Sequence, residues 1–178
     1  MKPSLKRLSL LLALLILSQV NVKPAVPTWD KWQYLIGEWE AAGRGSPGEG
    51  AGRFSFAFDL RNKVVVRKSH TDYPAAAGRP AFAHDDLMVI YYDEPAQKFR
   101  ADYFDSEGHV IRYTAEFSPD DQTLTFVSEP APAQPRFRLT YLRPKNNSPL
   151  GIKFEIAPPG EPENFKVYVE GTAHKKGH

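Results

Sequence analysis

From residue 37 onwards, apolar and polar residues alternate along the chain with a period of two. In GRFSFAFDL, for example, Phe54, Phe56 and Phe58 fall on one side, while Ser55 and Ala57 fall on the other. Because successive side chains of a strand point to opposite faces, this alternation predicts strands with one buried face. Segments of this kind recur along the rest of the chain: GEWEAAGRG, GRFSFAFDL, RNKVVVRKSHTDY, DDLMVIYYD, KFRADYFD, HVIRYTAEF, QTLTFVSE, RFRLTYLR, LGIKFEIA and FKVYVEGTAH.

Short, turn-rich stretches such as SEG, SPDD and PAPAQP separate these segments, and no long helical pattern lies between them. The sequence therefore predicts an all-β fold, a ten-stranded antiparallel meander closed into a barrel, with a two-sheet sandwich as the alternative. TWDKWQYLIG, residues 28–37, predicts a short N-terminal helix ahead of the barrel. The glycine-rich stretch at residues 43–52 predicts a mobile hairpin loop and opens no helix that could bind phosphate.

The first 25 residues differ in character from the rest. Three basic residues lead into the apolar run LSLLLALLILSQV, which has the length of a signal-peptide core and is shorter than the roughly 20 residues of a membrane span. We predict a signal peptide at 1–25 and a single β-barrel domain at 26–178, secreted or periplasmic. No stable membrane span is expected after signal removal, and an uncleaved N-terminal anchor is the alternative.

Charge and cysteine content exclude several classes of function. Removing residues 1–25 takes the net charge from +2 to −2, because that segment carries four basic residues and no acidic one. A domain without a basic excess is not expected to bind nucleic acid. The absence of cysteine excludes disulfides, thiolate metal sites and a cysteine nucleophile.

The inward-facing set of side chains is rich in aromatic rings and phenol hydroxyls. The alternation places Tyr103, Tyr113, Phe137 and Tyr141 inside, which is typical of a small-molecule cavity with apolar walls. We therefore predict non-covalent binding or carriage of a small, largely apolar molecule. An isomerase or hydrolase acting on such a molecule is one alternative, although nucleophile-elbow and metalloprotease motifs are absent. The other is an interaction scaffold whose barrel is filled.

Titratable residues cluster around the segment AHDDLMVIYYD, residues 83–93. A hairpin that closes symmetrically about Gly78 and Arg79 would set Asp72 opposite Asp85 and Tyr73 opposite His84. This predicts a polar rim at the barrel mouth with the 74–83 loop as its lid, and a solvated strand end is the alternative. No catalytic residue and no metal site is assigned. The predicted ligand-binding residues at this rim are His70, Tyr73, His84 and Asp86.

YLIGEWEAAGRG, residues 34–45, resembles the opening of the calycin superfamily, which includes lipocalins, fatty-acid-binding proteins and nitrobindin-like barrels. The resemblance lies in Gly37-x-Trp39 on the first strand after a short helix, and in the meander of ten strands. It implies binding of a hydrophobic molecule, and a basic side chain packed across Trp39, for which Lys175 and Arg143 are both candidates. With no paired cysteines, the chain looks most like bacterial calycin-like proteins that carry a signal peptide.

Nitrobindin-like members of that superfamily bind haem through a histidine near the C-terminus. His174 has the matching placement, but the alternation of FKVYVEGTAH puts it on the outer face. No haem or other cofactor is therefore predicted.

Overall fold

The computed structural model describes residues 28–146 and 148–177, which form a closed barrel of ten antiparallel strands. Each strand pairs with its neighbours in sequence, and the last strand closes against the first. The all-β meander barrel predicted from the alternation is confirmed, and the sandwich is excluded. The strands are β1 (Gly37–Gly45), β2 (Gly48–Asp59), β3 (Val64–Tyr73), β4 (Phe82–Asp93), β5 (Lys98–Asp105), β6 (Val110–Phe117), β7 (Thr123–Ser128), β8 (Arg136–Leu142), β9 (Leu150–Ala157) and β10 (Lys166–Lys175).

The glycine-rich stretch at 43–52 belongs to the sheet and is not the predicted loop. Gly43 pairs with Gly50, and the ladder runs on to Gly45 opposite Gly48. Glycine is required here because neighbouring strands approach closely: a Cβ on Gly52 would lie 2.1 Å from the carbonyl oxygen of His70. The glycine content of this stretch is typical of a flexible loop, but in the structure the glycines allow neighbouring backbones to pack closely.

One end of the barrel is plugged by the residues that precede β1. A single 3₁₀ turn, Asp30–Trp32, stands where the sequence predicted a short helix. Trp32 is fully buried, and its ring packs edge-on against Phe99 and Phe117 at centroid distances of 5.1 and 5.2 Å. Aromatic packing therefore seals this end.

The basic partner of Trp39 is Lys175, whose Nζ lies 5.5 Å from the centre of a Trp39 ring. Arg143, the other candidate, stacks on Tyr34 at 4.6 Å. The indole N–H of Trp39 donates to the carbonyl of Leu35 at 2.8 Å, which anchors the plug to the first strand.

The predicted signal peptide at 1–25 lies outside the described residues. Within residues 28–146 and 148–177, no helix has the length and apolar character needed to cross a membrane.

Candidate functional site

The end of the barrel opposite the plug is formed by the starts of even-numbered strands and the ends of odd-numbered ones. Directly paired residues on neighbouring strands point to the same face of the sheet. Met88 is buried in the barrel interior, so the residues paired with it also point inward, as do residues two positions away along each of these strands. Leu139 fixes the inward face of β8 and β9 in the same way. We call the inward surface of this end the cup, with its floor at Arg67, Asp86 and Tyr103 and its walls at His84, Ile111, Phe137 and Phe154.

The floor of the cup holds a buried ion pair. Nη1 of Arg67 contacts Oδ1 of Asp86, and the two side chains are 10% and 6% exposed. Burial by itself lowers the pKa of Arg67, but Asp86 outweighs it with help from Tyr141 and Tyr103, so the pKa lies above its ordinary value. The guanidinium also lies over the Phe54 ring at 5.4 Å. Arg67 is therefore a permanent cation held beneath the cup.

His84 links the floor to the rim through hydrogen bonds. Its Nε2 is 3.0 Å from the hydroxyl oxygen of Tyr103 and 3.8 Å from Oδ2 of Asp86. Its Nδ1 is 2.8 Å from Oε2 of Glu107, in the turn after β5. Burial, followed by the charges of Asp86 and Asp105, raises the pKa of Tyr103, so its hydroxyl stays protonated at neutral pH.

Tyr113 and Tyr141 face inward but are enclosed by the core. They are 2% and 0% exposed, and both rings pack edge-on against Phe126. Burial raises the pKa of both phenols. Tyr141 also lies close enough to the Arg67 guanidinium to help raise the pKa of Arg67, so it sits in the core next to that side chain.

The walls of the cup are apolar and partly exposed. Phe137 stacks on Phe154 at a centroid distance of 6.0 Å, and both rings are half-buried together with Ile111. At the mouth, the rings of Tyr73 and Phe82 stack at 4.7 Å, with Arg79 of the 74–81 turn over Phe82. Of the predicted ligand-binding residues, Tyr73, His84, Asp86, Tyr103 and Phe137 therefore meet at this end.

Comparison with known proteins finds a likeness in fold. No family model and no curated protein matches the chain. The crystal structure of Rv2717c from M. tuberculosis is similar, with a TM-score of 0.60 and 13% identity over 85% of this chain and 98% of that one. A de novo designed fluorescence-activating β-barrel has a TM-score of 0.38 and 13% identity over 81% of this chain and 95% of its own. The first likeness shows the fold alone, and the second is too distant to add to it.

His70 lies on the outer wall, facing away from the cup. The predicted register of the β3–β4 hairpin is wrong by two residues, since His70 pairs with Asp85 and Tyr73 pairs with Phe82. The turn closes between Ala76 and Arg79, with Gly78 at a φ of 77°. A shift of two residues preserves every face. It also sets Asp85 opposite His70, so Asp85 does not face the carboxylate of Asp72 as the predicted register would require.

His70 should stabilise the fold in a pH-dependent way. A hydrogen bond to Asp85 at 2.7 Å, aided by Asp72 at 3.3 Å, raises the pKa of His70. A raised folded-state pKa gives stability that is present below the unfolded pKa of about 6.5 and lost as pH rises through the folded value. We expect His70→Gln to lower the melting temperature at pH 6 and to change it little at pH 9. An equal loss of melting temperature at pH 6 and pH 9 would contradict this explanation. In an Asp85→Asn background, His70→Gln should show little difference between the two pH values.

Three side chains at the rim could hold a cation. His84, Asp105 and Glu107 each bring a ligand atom to within 4.8 Å of the others, a nitrogen and oxygen set that suits first-row divalent metals. Each of the three already has a partner, because His84 lies 2.8 Å from Glu107 and His109 lies 2.9 Å from Asp105. His174 is exposed on the outer wall and pairs with Glu40.

Two recesses lie on the outer wall. An open groove of about 1180 Å³ crosses β9, β10, β1 and β2, and its lining combines the small outward residues Ala42 and Ala51 with the charged Arg44 and Lys153. A second recess of about 470 Å³ includes His70. Both are bordered mainly by outward side chains, and the larger groove meets the mouth of the cup at Tyr73 and Phe82.

Sequence reasoning missed Arg67 and Glu107. Arg67 follows the apolar run VVV and shares the inward parity of Val65, so a lone charge at an inward position was the available signal. Its partner Asp86 was predicted at the rim, but pairing the two residues requires the register between their strands. Glu107 is in a turn, where the alternation of a strand does not predict which way a side chain points.

Proposed function

We propose that this protein binds a small, largely apolar molecule non-covalently in the cup. The supporting observation is the contrast between the two ends of the barrel. At the plugged end Trp32 and Leu124 are fully buried, whereas Ile111, Phe137 and Phe154 point inward at the open end yet stay partly exposed. Concave apolar walls over a few convergent polar groups are the usual form of a small-molecule site. The role that follows is binding or carriage of such a molecule.

Filling the cup should weaken binding strongly, whereas the same substitution one residue away should not. Ile111 points into the cup, while its neighbour Val110 is 63% exposed on the outer wall. We expect Ile111→Trp to weaken binding of the neutral apolar dye Nile red by at least about ten-fold, because the indole occupies the ligand volume. Val110→Trp is the matched control and should bind like the parent. Fluorescence titration measures both.

Two outcomes would contradict the proposal. The first is a parent protein that does not bind Nile red at all, as a filled barrel would require. The second is equal binding by Ile111→Trp and Val110→Trp, which would locate the dye on an outer recess.

We infer further that the chain is a member of the calycin superfamily and is exported. The support is the Gly37-x-Trp39 motif with Lys175 packed across the tryptophan, within a ten-stranded meander barrel. For export, it is the basic and apolar character of residues 1–25. N-terminal sequencing of protein from the secreted or periplasmic fraction should begin near Val26, and an intact Met1 would favour the anchor instead.

A further inference from the structure

The turn after β5 carries an ionisable side chain at every second position, in Asp105, Glu107 and His109. On β4, Nδ1 of His84 lies 2.8 Å from Oε2 of Glu107. One ligand atom each of His84, Asp105 and Glu107 lies within 4.8 Å of the other two. One imidazole nitrogen and two carboxylate oxygens can therefore converge on a single ion.

Negative charge at this rim exceeds the fixed positive charge that balances it. Asp105 pairs directly with Asp86 across the ladder, and both side chains are only 6% exposed. Arg67 neutralises Asp86, but the only ionic contacts of Asp105 and Glu107 among the described residues are to histidines. Burying a carboxylate is costly unless a cation accompanies it. A metal ion bound to Asp105 would remove that cost.

The ring of His84 is held in the orientation that a metal ligand needs. Its Nε2 lies 3.0 Å from the hydroxyl oxygen of Tyr103, which leaves Nδ1 on the side of Glu107. Histidine ligands usually donate their second ring N–H to an oxygen that fixes the tautomer and the orientation of the ring. With an ion on Nδ1, Nε2 of His84 carries the proton and donates to Tyr103.

Asp105 is also fixed by its neighbours, but it keeps room for an ion. It accepts hydrogen bonds from the backbone N–H groups of Glu107 and His109 and from Nδ1 of His109. A carboxylate offers about four lone-pair positions, so one remains after these bonds. The side chains of Glu107 and His109 are exposed, so an ion can reach Asp105 from solvent.

We propose that His84, Asp105 and Glu107 bind one divalent transition-metal ion such as Zn²⁺, through Nδ1 of His84 and one carboxylate oxygen of each acid. The nitrogen donor favours this class over Ca²⁺ and Mg²⁺, which take oxygen ligands. The ion replaces the proton shared by His84 and Glu107. With three protein ligands, a tetrahedral ion keeps one position for water. The site is separate from apolar binding in the cup and does not depend on it.

Isothermal titration of the protein with Zn²⁺ tests the site. We expect the parent to bind one equivalent, and His84→Gln and Glu107→Gln each to weaken binding by more than the roughly ten-fold typical of losing an outer partner of a ligand. His70→Gln is the matched control. It removes a histidine that contacts Asp85 and Asp72 on the outer wall, and it should bind Zn²⁺ like the parent. Melting of each variant without metal confirms that it is folded.

The ring nitrogens of His84 give a readout that a merely structural role would not change. In ¹⁵N nuclear magnetic resonance spectra, Zn²⁺ should shift Nδ1 of His84 while Nε2 stays protonated. Tyr103→Phe keeps all three ligands and should weaken Zn²⁺ binding by about ten-fold, because Nε2 loses its acceptor.

Four results would overturn the proposal. They are a parent protein without a one-equivalent site, unchanged binding in both His84→Gln and Glu107→Gln, coordination through Nε2 of His84, and displacement of Zn²⁺ by an equal concentration of Ca²⁺. The last would mean that the rim attracts cations by its charge alone.

Discussion

Asp86→Ala is expected to lower the free energy of unfolding by about 3–5 kcal/mol, the usual cost of removing one partner of a buried ion pair. Arg67 is 10% exposed and stays charged, so the variant would keep a cation in the barrel interior without its carboxylate. Urea unfolding followed by tryptophan fluorescence measures the change.

A double variant serves as the control for Asp86→Ala. Arg67→Met with Asp86→Leu removes both charges and should recover most of the lost stability, since apolar replacements of buried ion pairs are often neutral or stabilising. A loss below about 1 kcal/mol in Asp86→Ala would mean that water reaches Arg67 freely. In that case the floor of the cup is a wet surface, and the ion pair is not a buried one.

Trp32→Ala is expected to lower the free energy of unfolding by a similar amount, about 3–5 kcal/mol, because a large fully buried ring would leave a cavity in the plug. Trp32 is 0% exposed and packs against Phe99, Phe117 and Phe126. Its indole N–H has no partner among the described residues, so the ring accounts for the effect.

Two matched variants test that explanation by the same urea unfolding. Trp32→Phe keeps an aromatic ring and should cost clearly less than Trp32→Ala. Trp29→Ala removes a half-buried neighbour and should also cost less. If Trp29→Ala proved as costly as Trp32→Ala, the plug would not depend on the buried ring.

The strands could be predicted from the sequence because each carries a face that must be buried. β1, β5 and β9 have the bounds that the alternation predicts, and closure into a barrel followed from the number of strands and their short connections. The prediction for the glycine-rich 43–52 stretch is wrong because composition does not distinguish a flexible loop from strands in close backbone contact. The difference is set by the neighbouring strand, which a single sequence does not display.

The candidate site was only partly predictable for a related reason. The alternation of side chains along a strand places Phe137 and Tyr103 inside the barrel, even when the pairing between strands is unknown. The Arg67–Asp86 pair, in contrast, depends on the register between two strands, and the predicted hairpin is displaced by two residues. The alternation also does not predict how deep in the barrel an inward side chain lies. Tyr141 and Tyr113 therefore share a face with Tyr103 but lie in the enclosed core.

Binding within the cup can be tested most directly by intermolecular nuclear Overhauser effects between bound Nile red and the methyl groups of the protein. Binding inside the cup predicts nuclear Overhauser effects from the dye to the side-chain methyls of Ile111 and to the ring protons of Phe137. It predicts none to the outward methyls of Val110. Contacts to Ala42 and Ala51 in place of these would locate the ligand in the outer groove and contradict binding inside the barrel.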